Sequence, residues 1–191
     1  MIKAILLAAG QSKRFKTENK LIKSYKKKPL ISYVIKSLIK SKVNKIIIVI
    51  GYESERLKKI IAKNKKIKFI KNYKYSKGIS SSIKVGLKNI SKKDKGFIIV
   101  QSDMPFIKSS TLNRLHNSIS KKKHLVHVLK YKKKLGNPIG FDISTLNKFK
   151  KIKGDFGAKY MVKKLKNRTN FIEVNSKKIF KDFDNASDFR R

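Results

Sequence analysis

The chain has 191 residues and a formal net charge of +40, from 51 Lys and Arg against 11 Asp and Glu. It has no cysteine, which excludes a disulfide framework and cysteine-ligated zinc or iron–sulfur centres. Its apolar runs are shorter than the ~18 residues of a transmembrane helix and the ~7–15 residues of a signal-peptide core, so we expect one cytoplasmic domain spanning residues 1–191.

Short apolar runs alternate with helical periodicities along the chain. Strands are predicted at residues 3–7, 46–50, 67–70 and 97–100, and helices at 30–39, 53–63, 80–90 and 109–119, the last capped by its Ser/Thr cluster. Beyond residue 124 the pattern is less regular. We interpret its strands at 125–131 and 171–174 and its helix at 158–165 as an extension of the same sheet.

This order of elements predicts an α/β fold, a Rossmann-like three-layer αβα sandwich around a mostly parallel sheet. Continuous β-branched runs such as residues 46–50 are typical of parallel strands buried on both faces. In such sheets ligands bind beyond the carboxyl ends of the strands. Gly10, Gly51 and Asp103 each follow a predicted strand, so we expect their loops to share one edge of the sheet.

The first of these loops has the composition of a phosphate-binding turn. A buried strand ends in small residues and continues into a polar, cationic segment. Small residues let backbone N–H groups approach an anion, and basic side chains supply charge where a triphosphate would lie. The pattern is neither the dinucleotide-binding GxGxxG nor the P-loop. We predict nucleotide binding by Leu7, Ala8, Ala9, Gly10, Arg14 and Lys20.

Two further segments carry candidate polar ligands. Gly78 precedes three consecutive serines, residues 80–82, at the start of a predicted helix; they form either an ordinary helix cap or a site for a base, ribose or phosphate. Asp103 follows a buried strand and precedes Met104 and Pro105. It is either a turn-forming residue or a ligand of Mg²⁺, which one or two carboxylates plus substrate phosphates typically hold.

Together these motifs resemble the molybdopterin nucleotidyltransferase family. Residues 7–15 read L-x-A-G-x-S-x-R-F and an Asn-Lys pair follows at 19–20. In the family's order come Gly-x-Ser-x-Ser at 78–82, Asp-Met-Pro at 103–105, Gly-Asn-Pro at 136–138, Gly-Asp-x-Gly-Ala at 154–158 and Asp-x-Asp at 182–184. The chain departs from the family at Asn137, where relatives usually have His, and at Lys16, where they tend to have Gly.

The resemblance implies a nucleotide-diphospho-sugar transferase type of fold and a reaction. A nucleotidyl group passes from an NTP to the terminal phosphate of molybdopterin, with release of pyrophosphate. The implied partners are that NTP, the molybdopterin-type acceptor, and a molybdoenzyme or its chaperone.

The resemblance also implies roles for individual residues. Arg14, Lys20 and Asp103 would be catalytic, with Lys20 at the α-phosphate and Arg14 at the leaving pyrophosphate. Asp103 and Asp184 would hold Mg²⁺, with Asp182 as the alternative and Asp188 as a cap. The nucleotide would be bound by Gly78, Ser80 and Ser82 as well as by the first loop, and the acceptor would face Gly136, Asn137, Pro138, Gly154, Asp155 and Gly157.

The choice of nucleotide depends on Ala9. Guanylyl-transferring relatives tend to have Gly at this position, and an added methyl group facing the base would crowd a purine more than a pyrimidine, which favours CTP. The alternatives are GTP, another phosphorylated acceptor such as a sugar or alcohol phosphate, and a non-catalytic protein that binds polyanions.

The high positive charge does not by itself indicate a nucleic-acid or membrane partner. Of the 51 cations 45 are Lys and six are Arg, and they are spread throughout the chain. A surface that binds nucleic acid concentrates Arg and interleaves aromatic residues for stacking. Because Lys, Ile and Asn have A/T-rich codons, we interpret the excess of Lys as genomic drift at tolerant surface positions.

Overall fold

The computed structural model describes residues 1–12, 14–15 and 18–190. Within them the strands are β1 (Ile2–Ala8), β2 (Ser24–Tyr25), β3 (Lys28–Pro29), β4 (Lys45–Ile50), β5 (Ile67–Lys71), β6 (Gly96–Gln101), β7 (Val126–Tyr131), β8 (Lys134–Asp142) and β9 (Thr169–Glu173). The α-helices are α1 (Leu30–Ile39), α2 (Ser54–Ile60), α3 (Ile79–Leu87), α4 (Ser109–Ser120) and α5 (Ala158–Lys164). Short 3₁₀ segments lie at Tyr75–Lys77, Ile143–Lys151, Lys166–Arg168, Lys177–Phe180 and Ala186–Phe189.

Seven strands form one sheet in the order β5-β4-β1-β6-β8-β7-β9. β8 is antiparallel to both of its neighbours, and the other pairings in the sheet are parallel. β2 and β3 make a separate two-stranded ribbon. The predicted α/β fold with a mostly parallel sheet is confirmed, and the region beyond residue 124 extends that same sheet.

The sheet is held by a core on each of its faces. Along β1, Ala4 and Leu6 belong to one buried cluster, while Ile5 and Leu7 belong to the other. This alternation is the two-residue period of a strand. Helices α1, α2 and α4 pack on the first face and α3 and α5 on the second, which gives the three layers.

The strand β8 is absent from the sequence prediction for a physical reason. It contains Gly136, Pro138 and Gly140, residues that weaken or interrupt strand patterns. The structure accommodates them through a register shift opposite Val128 and Leu129 of β7. The predicted Ser/Thr cap of α4 is wrong, because the helix follows Lys108 without a side-chain cap.

The central strands bring three loops to one edge of the sheet. A Cβ atom on Gly51, which follows β4, would lie 2.9 Å from the Cβ of Ala9 and 2.8 Å from that of Tyr75. The hydroxyl of Ser102, just beyond β6, donates a hydrogen bond to the carbonyl of Leu7 at 2.7 Å. The loops after β1, β4 and β6 therefore meet. None of the helices that the structure describes has the length and hydrophobicity to cross a membrane.

Candidate active site

Four charged side chains from distant parts of the chain meet at this edge of the sheet. The Nζ of Lys20 lies 2.7 Å from Oδ2 of Asp103 and 3.0 Å from Oδ1 of Asp184. The other carboxylate oxygen of Asp184 lies 3.1 Å from Nη1 of Arg14. The structure thus brings together the predicted catalytic residues and both predicted metal ligands.

Backbone contacts hold the two carboxylates in position. Asp103 lies in the turn after β6, and its carbonyl accepts a hydrogen bond from the N–H of Phe183 at 3.0 Å. This contact places the C-terminal segment against the turn. Asp188 accepts from the N–H groups of Asp184 and Asn185, each at 3.0 Å, so it closes the last 3₁₀ segment.

The loop that carries Lys20 is held by its own polar groups. Ser12 has a φ of 52°, and its hydroxyl accepts a hydrogen bond from the N–H of Lys20 at 3.2 Å. The carboxamide of Asn19 accepts from the N–H of Leu21 at 3.1 Å. The departure at Lys16 lies outside the described residues.

The cluster is electrostatically coupled. Burial raises the pKa of Asp103 and outweighs the opposing effect of the Lys20 ammonium. Partial burial would raise the pKa of Asp184, but hydrogen bonds and charge from Lys20 and Arg14 lower it overall. For the Lys20 ammonium, partial burial alone would lower the pKa, but the charges and hydrogen bonds of Asp103 and Asp184 raise it overall. Lys20 therefore remains a cation and stays between the two carboxylates.

This cluster forms one wall of a cleft of about 500 Å³, which we call the first cleft. Among the described residues its lining has two basic and three acidic side chains; the rest are small, polar or apolar. The lining residues are Leu7, Ala9, Gly10, Gln11, Ser12, Arg14, Phe15, Lys20, Leu21, Tyr75, Ser76, Gly78, Ile79, Ser82, Gln101, Ser102, Asp103, Asp155 and Asp184.

The start of α3 forms the opposite wall of the first cleft. Gly78 has a φ of +89°, and a Cβ there would lie 2.6 Å from the carbonyl oxygen of Gly154. The N–H of Ser80 donates to that carbonyl at 3.1 Å. The hydroxyl of Ser82 accepts from the carboxamide of the buried Asn72 at 3.0 Å. Of the predicted serines, Ser82 lines the cleft, whereas Ser80 is buried against the 154 loop.

The remaining predicted site residues are not gathered in one place. Ala8 is buried in the core on the α1 side of the sheet. Asp155 lines the first cleft, and Gly154 and Gly157 adjoin the start of α3 without lining that cleft. The other three predicted acceptor residues lie in β8: Gly136 packs directly against the ring of Phe180, and Asn137 and Pro138 are buried.

A larger cleft of about 890 Å³, which we call the second cleft, adjoins the first. The two clefts share Arg14 and Asp184. The lining of the second cleft is Arg14, Tyr25, Lys26, Phe106, Lys134, Ser176, Lys177, Lys178, Phe180, Lys181, Asp182, Phe183, Asp184, Asn185 and Asp188. Asp182, the alternative metal ligand, therefore faces the second cleft.

Among the residues that the sequence reasoning missed, Gln101 and Tyr75 line the first cleft, and Asn72 contacts Ser82, which lines it. Gln101 ends β6 and lines the cleft, and its place at a strand end could have identified it. Asn72 follows β5 and organises the serines of α3, so the same rule applies. Tyr75 lies in a 3₁₀ turn, and no local pattern distinguished it.

The acidic pair fits a divalent cation. Oδ1 of Asp103 is buried and has no hydrogen-bond partner among the described residues. The described residues also contain no group of three or more potential ligands from His, Cys, Asp and Glu. Two carboxylates suit Mg²⁺, which often completes its coordination with substrate phosphates and water. A metal here would therefore be held by Asp103, Asp184 and the substrate together.

A mostly parallel sheet with a small-residue loop, a lysine and two carboxylates gathered at one edge is typical of α/β proteins that bind nucleotides. Residues 4–169 match the model of the MobA-like NTP transferase domain. The chain belongs to this family of nucleotidyltransferases.

Individual relatives are more distant. The chain is 29% identical over 187 residues to the bifunctional protein GlmU of Thermosipho melanesiensis, an alignment that covers 93% of this chain and 40% of that protein. The chain spans between 24% and 40% of the length of the curated relatives that it matches.

Solved structures share the fold. Rv0371c of Mycobacterium tuberculosis has a TM-score of 0.85 at 19% identity, covering 100% of this chain and 95% of that one, and a manganese complex of the same protein is known. A nucleotidyl transferase of Methanothermobacter thermautotrophicus has a TM-score of 0.84 at 17% identity, covering 100% and 95%. The 4-diphosphocytidyl-2C-methyl-D-erythritol synthase of Anaerococcus prevotii has 0.78 at 14%, covering 100% and 93%.

Proposed function

We propose that residues 1–191 act as one NTP-transferase domain that transfers a nucleotidyl group, cytidylyl in preference to guanylyl, to the terminal phosphate of a molybdopterin-type acceptor. The observation that carries this proposal is the bridge that Lys20 makes between Asp103 and Asp184 at the wall of the first cleft. It holds a cation and two potential metal ligands at the edge of the sheet where nucleotides bind in this type of fold.

The chemistry demands alignment and charge compensation from the protein. A phosphate monoester has a second pKa near ~6, so the acceptor is largely deprotonated at neutral pH and needs no side-chain base. Its oxygen attacks the α-phosphorus of the NTP, and the bond to pyrophosphate breaks. Lys20 would stabilise the charge that develops at the α-phosphate, and Arg14 with the Gly10 loop would hold the departing pyrophosphate.

Asp103 and Asp184 would hold Mg²⁺, which neutralises phosphate charge when it is bound. Asp103 is the better placed of the two to bind a metal ion. The N–H of Phe183 bonds to its backbone carbonyl and holds its turn, and one of its carboxylate oxygens has no hydrogen-bond partner within the described residues. The manganese complex of Rv0371c supports a divalent metal in this fold.

The choice of nucleotide follows from Ala9, which lines the first cleft and is 4% exposed. Its methyl group would crowd a purine base that lay against it, whereas Gly at this position would leave room for one. Ser82 and Gly78 on the opposite wall would contact the nucleotide. The molybdopterin-type acceptor rests on the resemblance of the motifs, and of their order, to the molybdopterin nucleotidyltransferase family.

A second candidate keeps the reaction and changes the acceptor to a sugar or alcohol phosphate. It is favoured by the likeness of the fold to the 4-diphosphocytidyl-2C-methyl-D-erythritol synthase of Anaerococcus prevotii, whose name specifies a cytidylyl group joined to a polyol through two phosphates. A non-catalytic polyanion-binding role is disfavoured by the carboxylate pair, because carboxylates contribute nothing to the binding of a polyanion.

The test is release of pyrophosphate by the purified protein. CTP and GTP are each offered with Mg²⁺ and either molybdopterin cofactor or a sugar 1-phosphate, and Asp103→Asn serves as the inactive control. We expect the highest rate with CTP and the molybdopterin cofactor. Turnover with the sugar phosphate but not with the molybdopterin cofactor would show that the acceptor is a sugar phosphate. Absence of turnover with both CTP and GTP would overturn the proposal that the protein is an enzyme.

A further inference from the structure

The second cleft lies where an acceptor could reach the same carboxylate as the nucleotide. Asp184 and Arg14 line both clefts, whereas Lys20 and Asp103 line only the first. A molecule in the second cleft with a phosphate at its inner end would therefore approach Asp184, which also lines the first cleft.

The second cleft carries more cations than one phosphate group requires. Its described lining has six basic and three acidic side chains. Lys26, Lys134, Lys177 and Lys178 have no carboxylate within ion-pair distance in the described part of the chain. Arg14, by contrast, is already paired with Asp184.

Aromatic rings support part of this basic wall. Nζ of Lys178 lies 4.8 Å from the ring centroid of Phe106, and Nζ of Lys181 lies 5.4 Å from that of Phe183. Phe106 and Phe183 are themselves in contact, with centroids 5.9 Å apart. A ring face attracts a cation and restrains it near the cleft. Two lysines of the C-terminal segment, Lys178 and Lys181, thus lie against aromatic rings that line the second cleft.

We propose that the second cleft is the acceptor site and that it selects an acceptor with an anionic group in addition to the phosphate that is nucleotidylated. The phosphate to be nucleotidylated lies at the end of the second cleft where Asp184 also lines the first cleft, and Lys177 and Lys178 contact the additional anion. This inference rests on the proposed function, because the acceptor must present its phosphate to an NTP in the first cleft. One P–O bond forms to the acceptor, one breaks to pyrophosphate, and no electrons are transferred to or from a cofactor.

The proposal moves the acceptor site away from Gly136, Asn137 and Pro138, which do not line the second cleft. Gly136, which the sequence motif assigned to the acceptor, lies behind Phe180 and shapes the cleft from beneath. A side chain at residue 136 would displace that ring.

A pair of small probes tests the proposal on the full chain. sn-Glycerol 3-phosphate and 3-phospho-D-glycerate are both phosphate monoesters, and the second has a carboxylate where the first has a hydroxymethyl group. Each is titrated by backbone amide NMR, which reports both the affinity and the residues affected. We expect wild type to bind 3-phospho-D-glycerate roughly five- to ten-fold more tightly, through additional charge-assisted contacts, with shifts at residues 176–181.

The variant Lys177→Gln/Lys178→Gln should remove most of that preference. Its matched control is Lys92→Gln/Lys93→Gln, an exposed lysine pair with the same loss of charge. The second lysine of each pair also donates its backbone N–H to a serine hydroxyl two residues earlier, at 3.1 Å in both cases. Because the local turns match and each double variant loses two positive charges, a difference between them reports the position of the lysines and not the net charge.

Three outcomes would overturn the proposal: equal affinity for the two probes, shifts confined to first-cleft amides such as Gly10 and Gly78, or an equal loss of preference in the control. Pyrophosphate release is measured separately. If wild type fails that assay with every NTP, the proposed function fails, while the probe comparison still decides whether the second cleft selects phosphate monoesters that carry a further anionic group.

Discussion

The two clefts differ in how their charges are held. In the first cleft the ammonium of Lys20 is fixed between two carboxylates and only 16% of its side chain is exposed. In the second, Lys26, Lys134, Lys177 and Lys178 are exposed and have no acidic partner within the described residues.

This difference suggests that the charges of the first cleft align reacting groups, whereas those of the second cleft attract a ligand. A transition state is stabilised by groups that are already in place when charge develops, because they need not reorganise. Long, unpaired lysines lose rotamer freedom when they order around a ligand, so they suit binding better than catalysis. The chain has 51 cations, but among the described residues only two of them, Arg14 and Lys20, line the first cleft, which is consistent with drift being tolerated only where no reaction must be aligned.

The largest expected effect is the loss of turnover when a carboxylate of the first cleft is removed. Asp103→Asn should lower kcat by about 100-fold or more, because it removes a metal ligand that contributes several kcal/mol to the transition state. The fold should survive, since Lys20 keeps its contact with Asp184. Steady-state pyrophosphate release and the thermal midpoint are the measurements.

Asp182→Asn is the matched control, because Asp182 lines only the second cleft. At a saturating acceptor concentration it should leave kcat within about three-fold of wild type, because an effect in the proposed acceptor cleft would fall on the KM for the acceptor. If Asp103→Asn kept more than about a tenth of the rate, or if the Asp182 variant were the inactive one, the metal assignment would be wrong.

The fold was largely predictable because its central strands are buried on both faces. Residues 46–50 are continuously apolar and follow the two-residue alternation between two cores, so composition alone identified the strand. β8 was not predictable, since its glycines and Pro138 contradict a strand locally. Its place is decided by long-range pairing with β6 and β7.

The site was predictable to the extent that it lies at strand ends. Asp103 follows β6 directly, so topology alone placed it at the edge of the sheet. The meeting of Asp184 with Lys20 spans 164 residues of sequence, and only the family motif suggested it. The second cleft was not foreseen, because exposed lysines carry no local signal in a chain where Lys is the commonest drift product.

The next prediction compares the two cations of the first cleft. Lys20→Ala should lower kcat on the order of 100-fold with little change in KM for the NTP, because its charge acts on the transition state. Arg14→Ala should raise KM for the NTP about ten-fold and change kcat less, since 67% of the Arg14 side chain is exposed. Lys23→Ala, at a partly exposed lysine near Glu18, is the control. The reverse pattern would show that the roles within the loop are exchanged.

The pH range for these measurements is limited by a residue outside both clefts. Burial lowers the pKa of His127 from 6.5 to about 4. Its Nδ1 accepts a hydrogen bond from Ser118 at 2.7 Å, and its Nε2 donates to the carbonyl of His124 at 3.1 Å. Ser118 also accepts from Asn170 at 2.7 Å, so the network suits the neutral ring.

Because the pKa of His127 is depressed in the folded state, the unfolded chain takes up the proton first. The corresponding stability is complete above pH 6.5 and is lost as the pH falls towards 4, by about 3 kcal/mol at most. His127→Gln should flatten this part of the profile of the free energy of unfolding in urea. His124→Gln, which keeps the backbone carbonyl, should retain the slope; a wild-type profile without any slope would refute the assignment.

The smallest expected effect tests whether the first cleft also selects its base. Ala9 lines that cleft, and the backbone after β4 approaches its Cβ so closely that a Cβ on Gly51 would lie only 2.9 Å away. If the methyl group crowds a purine, wild type should prefer CTP to GTP. Ala9→Gly should then narrow the ratio of kcat/KM values roughly ten-fold without reversing it, because one methyl group is worth about 1–3 kcal/mol.

Ala8→Gly is the matched control. Ala8 is buried in the opposite core, so this substitution loosens the same backbone without changing the lining of the cleft. A wild type that prefers GTP, or a ratio that shifts equally in both variants, would remove the physical basis for cytidylyl transfer and leave the first cleft as a triphosphate site that does not read the base through residue 9.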